Sequence, residues 1–157
     1  MRVRIAIALF AACAVSFAIP AKAAKVCAWM VESEQPDDER MLKIYLSSDT
    51  EIDLFYQIGG KGIVYEGNTG NSPGDGTFSL HAGQTDSPWS FGQTFEPPGQ
   101  IDVNIEIHQM PEDVFNEKPK PLLANFIFRR NVPANEKKPP ATLAKKQCAM
   151  VTAEHFR

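Results

Sequence analysis

Long apolar runs, cysteines and catalytic motifs are all scarce in this chain, and each scarcity excludes a class of protein. After residue 23, no apolar stretch approaches the roughly 20 residues that cross a bilayer as a helix, so no transmembrane segment is predicted. The sequence has no His-Glu-x-x-His, Gly-x-Ser-x-Gly, phosphate-loop, dinucleotide or Cys-x-x-Cys motif. This favours a non-catalytic protein, although catalytic groups brought together from distant positions leave no such motif.

The N-terminal segment, residues 1–23, has the features of a secretory signal peptide. Two arginines precede an apolar run over 5–19, and small residues suited to signal peptidase follow it. We predict cleavage after Ala23 and a periplasmic or secreted mature protein. An alternative is lipidation at Cys13, because the residues before it resemble the processing site of bacterial lipoproteins.

Residues 24–157 are expected to form a single domain, which is long enough to bury a core. Removal of the signal leaves two cysteines, Cys27 and Cys148, in a compartment that permits disulfides. We expect them to be bonded to each other. Closing so long a loop stabilises a fold by about 4 to 5 kcal/mol on the chain-entropy model.

Charge is distributed unevenly along the chain. Residues 24–117 contain 4 basic and 17 acidic residues, a balance of −13, whereas residues 118–157 contain 9 basic and 2 acidic residues, a balance of +7. The basic third could contact an anionic membrane surface peripherally; the alternative is that its strands lie beside acidic ones and offset their field. Nucleic acid is not an expected partner for an exported chain that is acidic overall.

Apolar and polar residues alternate along most of the chain, as they do in half-buried strands. The clearest case is 101–108, where isoleucines and a valine alternate with polar residues. Further strands are predicted at 26–31, 41–46, 52–58, 63–66, 77–81, 89–95, 122–130 and 147–152. About eight short strands predict an all-β fold, an antiparallel β-sandwich with a small β-barrel as the alternative, closed by one disulfide.

Local signals add detail to this fold. The glycines at 59–62 predict a tight hairpin that pairs 52–58 with 63–66. Short helices are expected at 112–116 and 141–146. The predicted inward-facing residues are Trp29, Leu42, Ile44, Leu46, Ile52, Leu54, Tyr56, Phe78, Leu80, Ile101, Val103, Ile105, Ile107, Phe126 and Phe128.

Four acidic residues are candidates for a metal site. Asp49, Glu51 and Asp53 alternate, which would point three carboxylates the same way, and Asp75 lies in a flexible-looking loop. Calcium accepts oxygen ligands from such loops, so it is the candidate cofactor. The alternative is that these are solvated surface acids, in which case no cofactor is expected.

Two further groups are candidates for binding. Asp102, Glu106 and His108 project from the polar side of the best strand, at a spacing that would let Glu106 and His108 both reach one metal ion; the alternative is an ordinary solvated sheet face. Trp89 and Phe91 could form an aromatic platform for a sugar or peptide. Trp89 is the one expected to be exposed, since it follows a proline at a loop edge.

These observations predict a non-catalytic binding protein of the cell envelope, of the inhibitor, immunity or accessory type. The expected partner is a protein or envelope macromolecule, bound by loops at one end of the sandwich. The alternatives are a calcium or small-ligand module that uses the four candidate acids, and an envelope-polymer hydrolase that uses Glu106, His108 and a partner carboxylate.

Overall fold

Two antiparallel sheets pack face to face in the computed structural model, which describes residues 22–36, 39–65, 68–70, 74–94, 96–110, 120–137 and 145–153. The described residues form nine strands and no α-helix. The strands are β1 (Lys22–Glu34), β2 (Glu39–Ser48), β3 (Ile52–Tyr65), β4 (Asn68–Gly70), β5 (Gly74–Leu80), β6 (Thr85–Thr94), β7 (Gly99–Gln109), β8 (Leu122–Val132) and β9 (Gln147–Ala153).

Sheet A has the strand order β6-β2-β1-β9, and sheet B contains β3, β7 and β8 with β4 and β5 sharing the remaining edge of β3. Sheet B is therefore four strands wide. The sheets do not close into a barrel, so the predicted sandwich is confirmed. Within the described residues there is no helix of the length and apolarity needed to span a membrane. Most of the predicted signal segment lies outside the described residues. So do all of the helix predicted at 112–116 and most of the one predicted at 141–146.

The core lies between the sheets because alternate residues of each strand face inward. On β2 the inward residues are Leu42, Ile44 and Leu46, all 0% exposed. On β7 the four apolar residues from Ile101 to Ile107 are buried in the same way. Each such side chain contributes roughly 1.5 to 3 kcal/mol on burial, so the alternation seen in the sequence is what holds the sheets together.

The hairpin predicted at the glycines 59–62 is wrong. Instead of turning at the glycines, β3 continues through them as one long strand, and its register against β7 shifts between Gly59 and Gly62. Glycine permits a bulge as readily as a turn. The bulge prevails here because β7 is long enough to pair with both halves of β3, which a hairpin would fold away from it.

Trp29 was expected to face the core, and it does not. The inward residues of β1 are Ala24, Val26, Ala28 and Met30, whose even positions exclude Trp29. Trp29 instead stacks on Tyr45 of β2 on the outer side of sheet A, with ring centroids 5.7 Å apart. Both parities of β1 carry apolar residues, so alternation alone does not decide which face Trp29 takes.

The expected disulfide between Cys27 and Cys148 is present. It joins β1 to β9 at directly opposed positions, with 4.0 Å between the two Cα atoms. The bridge thus fastens the first strand of the domain to the last, and it suits an oxidising, extracellular setting. Cleavage after Ala23, which stays a prediction, would leave Ala24 as the first buried residue of β1.

Candidate functional site

The outer face of sheet B gathers several of the predicted site residues. Inward packing of the apolar residues on β3 and β7 turns the intervening polar residues outward. The face therefore carries five of the predicted site residues: Asp53, Asp75, Asp102, Glu106 and His108. Three strands position them, so a single rigid surface presents side chains that are far apart in the sequence.

A groove of about 390 Å³ crosses this face where β5 begins beside β3 and β7. We call it the acidic groove; its lining residues are Gln57, Ile58, Gly59, Gly74, Asp75, Asn104 and Glu106. Its polar walls are two carboxylates and two amides. At Gly59 an added Cβ would meet no atom within 4 Å, so the missing side chain leaves the groove open.

Asp75 gives the groove a negative field that reaches its neighbours. Asp75 is exposed and lies opposite Gln57 in the pairing of β5 with β3. Burial and, after it, the charge of Asp75 raise the pKa of the Tyr56 hydroxyl above its usual value. Across the groove, Glu106 accepts a hydrogen bond from the Asn104 amide at 3.3 Å. The groove thus presents the exposed carboxylate of Asp75 and a Glu106 carboxylate that is held by Asn104.

Glu106 and His108 lie together, as the sequence predicted. His108 Nε2 is 3.2 Å from Glu106 Oε2, and His108 Nδ1 is 2.9 Å from the Lys120 carbonyl oxygen. His108 is 9% exposed, and its ring contacts the edge of Phe55, which the Lys120 ammonium covers at 3.4 Å. Both ring nitrogens therefore have protein partners, and the imidazole anchors the chain at Lys120 to the sheet.

Asp102 belongs to a different contact. Both of its carboxylate oxygens lie 3.2 to 3.3 Å from Arg129 Nε on the neighbouring strand β8. Arg129 is 65% exposed, so this pair is a surface ion pair of small energetic worth. It shows that the basic C-terminal strand lies beside an acidic one, as one of the two charge hypotheses expected.

The candidate calcium ligands are dispersed. Asp49 accepts a hydrogen bond from the Lys25 backbone N–H at 2.8 Å, Glu51 lies 3.8 Å from His81, and Asp53 accepts one from the Ser79 hydroxyl. No three His, Cys, Asp or Glu residues within the described part of the chain form a group that could hold a metal ion. Calcium binding stays a prediction, with Asp75 separately placed in the acidic groove.

Trp89 and Phe91 face the interior rather than solvent. Trp89 is 8% exposed and stacks on Phe91 with ring centroids 6.0 Å apart, so the expected exposure of Trp89 is wrong. The register explains the error, because these residues pair with Ile44 and Leu42, which are inward positions of β2. A Cβ on Gly74 would come within 3.0 Å of the Trp89 ring, so the indole is closely packed.

A cluster of four charges, two of them buried and two half-buried, was missed by the sequence analysis. This charge cluster consists of Glu32, Arg40, Arg130 and Glu136, and it joins sheet A to sheet B. Arg130 donates to Glu32 at 2.9 and 2.9 Å and to Glu136 at 2.7 and 2.8 Å. Arg40, which is 0% exposed, lies 3.0 Å from Glu136 and 3.4 Å from Glu32.

Within the charge cluster, the pKa values of Glu136 and Arg130 are shifted in the direction that favours charge. The hydrogen bond from Arg130 is the largest cause of the lowered pKa of Glu136, and the reciprocal bond raises the pKa of Arg130. A signal for the cluster was present in the sequence. Glu32 and Arg40 occupy the inward parity of their strands, next to Met30 and Leu42, where an unpaired charge would be very costly.

No family model matches the chain, and neither a curated protein nor a solved structure matches it.

Proposed function

We propose that this protein is an exported, non-catalytic binding protein whose acidic groove receives a basic side chain of a partner macromolecule. The observation that carries this proposal is the groove itself. The carboxylates of Asp75 and Glu106 and the amides of Gln57 and Asn104 surround an open space of about 390 Å³. Carboxylate oxygens are the best partners for the planar donors of arginine, which suits that space.

The charge of the surrounding chain supports a basic partner. The strands that form the groove all come from residues 24–117, whose formal balance is −13. Such a field raises the rate at which a cationic partner arrives and disfavours acidic competitors. The Glu106 carboxylate is already held by Asn104 and His108, so it loses little conformational freedom when a partner binds.

A binding role is favoured over hydrolysis by the state of His108. Its two ring nitrogens contact Glu106 and the Lys120 carbonyl, and its side chain is almost fully covered. A general base must reach the proton that it abstracts, and this ring would first have to give up one of those contacts.

Export and partner class remain part of the same proposal. The signal-like N terminus and the disulfide support a periplasmic or secreted protein of the inhibitor, immunity or accessory type. The recognition surface proposed here is a sheet face. Much of the connecting loops, to which the sequence analysis assigned recognition, lies outside the described residues.

The test compares two variants that remove equal charge. Asp75→Asn/Glu106→Gln changes the groove, whereas Asp86→Asn/Glu96→Gln removes two exposed acids outside it. Tagged mature protein is used to capture partners from an envelope extract, and the recovered macromolecule is quantified at low and high salt. We expect a basic partner whose recovery falls at least about tenfold for the groove variant alone and decreases with salt. Equal recovery with both variants would refute the proposal.

A further inference from the structure

A second pocket opens at the side of the sandwich where β8 and β9 meet. Strand β9 begins at Gln147, opposite Ala28, so the part of β1 beyond Ala28 has no β9 partner on that side. The gap forms a pocket of about 230 Å³, which we call the seam pocket. Its lining residues are Met30, Glu32, Ile127, Phe128, Arg129, Arg130, Lys145 and Gln147.

The floor of the seam pocket is apolar and continuous with the core. Met30 and Phe128 are both core residues, each 2% exposed, and the pocket is the place where they are reached from outside. Ile127 forms a wall and is 42% exposed, which makes it one of the exposed large apolar residues of the described chain. Gln147 holds the opening by bonding the backbone N–H and C=O of Ile127 at 3.4 and 2.7 Å.

The rim of the seam pocket is cationic. The one acid among its lining residues, Glu32, is already bound through both oxygens by Arg130 at 2.9 Å, so it offers little repulsion to an anion. The Arg129 side chain is 65% exposed and forms an ion pair with Asp102. Lys145 is exposed, and no carboxylate in the described ranges forms an ion pair with it. Lys145 and Arg129 are therefore positioned to attract an anionic group at the mouth.

We infer that the seam pocket binds a small anionic amphiphile, namely a single-chain carboxylate of medium length. Its apolar chain lies against Met30 and Phe128, and its carboxylate lies at the mouth beside Lys145 and Arg129. The volume sets the size, because a water occupies about 30 Å³ and the pocket therefore admits about eight groups of that size, which matches a carboxylate with about seven apolar carbons. Octanoate has this size and charge. A ligand so small is expected to bind with a Kd of about 0.1 to 1 mM.

The test measures octanoate binding to the purified mature protein by titration calorimetry, with octan-1-ol and octylamine as neutral and cationic probes of equal chain length. We expect octanoate to bind at least about tenfold more tightly than octan-1-ol, and octylamine not to bind. Lys145→Gln/Arg129→Gln should remove that preference. Lys137→Gln, an exposed lysine outside the pocket, should leave it unchanged.

A second variant tests the apolar part of the pocket without touching its cations. Ile127→Asp places a carboxylate on an exposed wall, so the fold should survive while octanoate binding falls at least about tenfold. Asp75→Asn/Glu106→Gln should bind octanoate normally, which keeps this inference independent of the acidic groove. No octanoate binding at about 10 mM, equal binding of octan-1-ol, or insensitivity to the rim and wall variants would overturn the inference.

Discussion

Arg130→Met should destabilise the protein far more than the same change at its neighbour, Arg129. Arg130 makes four hydrogen bonds of 2.7 to 2.9 Å to the carboxylates of Glu32 and Glu136. Without it, buried Glu32 and half-buried Glu136 would share Arg40, at 3.4 and 3.0 Å, as their one basic partner within the described ranges. Removing one partner of a buried ion pair costs about 3 to 5 kcal/mol, and the remaining arginine places our expectation near 3 kcal/mol.

Arg129→Met is the matched control, because it deletes the same atoms from the next residue of the same strand. Its ion pair with Asp102 is exposed, so we expect a loss below about 1 kcal/mol. Urea denaturation gives both free energies of unfolding, and the melting temperature of Arg130→Met should fall by roughly 10 °C. If the two variants differ by less than about 1 kcal/mol, the charge cluster does not stabilise the junction of the sheets as argued.

Three further perturbations test the same structure. Because the pKa of Glu136 is lowered in the folded state, its carboxylate stabilises the fold above its ordinary pKa of 4.5, and this stabilisation is lost as the pH falls below that value. The difference in unfolding free energy between wild type and Glu136→Gln should therefore shrink between pH 5 and 3 in urea titrations. A constant difference would contradict this. Replacing Cys27 and Cys148 with alanine should cost about 4 to 5 kcal/mol in denaturant titrations, and a loss below about 1 kcal/mol would contradict the loop-entropy argument. In denaturant titrations Trp89→Ala should cost about 3 to 5 kcal/mol and Trp29→Ala only about 1 to 2 kcal/mol, since only the Trp89 indole lies in the core. The reverse order would show that the faces of the two tryptophans are misassigned.

The fold was predictable because burial in a sandwich repeats every second residue. The predicted strands at 41–46, 101–108 and 122–130 lie within β2, β7 and β8. In β7 one parity alone is apolar, and in β2 and β8 most of the apolar residues fall on one parity. Where both parities are apolar, as in β1, the sequence does not choose a face, and Trp29 was assigned to the wrong one. Where glycines cluster, turn and bulge have similar local cost, and only the length of the neighbouring strand decides between them.

The candidate site was predictable in part. Glu106 and His108 were identified because they are polar residues of an alternating strand, and alternation alone places them on one face. Asp75 was expected in a loop, whereas it lies in β5 opposite Gln57. Their grouping into a groove was not predictable, since it depends on which strands flank β3 and on the missing side chain at Gly59. Predicting the charge cluster would have required recognising that Glu32, at an inward position, must be paired in the interior. Its partner, Arg130, lies 98 residues away in the sequence.

The uneven charge of the sequence becomes local neutralisation in the fold, and what is left over defines two surfaces. Arg129 offsets Asp102 across β7 and β8, and Arg130 offsets Glu32 and Glu136 at the junction of the sheets. These contacts use the two arginines of β8, so the basic third keeps its positive charge at lysines such as Lys145. Asp75 of β5 is separated from β8 by β3 and β7, and Glu106 of β7 lies opposite the uncharged Asn125 of β8, so neither acid has an arginine opposite it. Opposite charges thus remain at separate places, over β3 and at the edge of β8, so the cationic partner proposed for the acidic groove and the anionic ligand proposed for the seam pocket would not compete for one site.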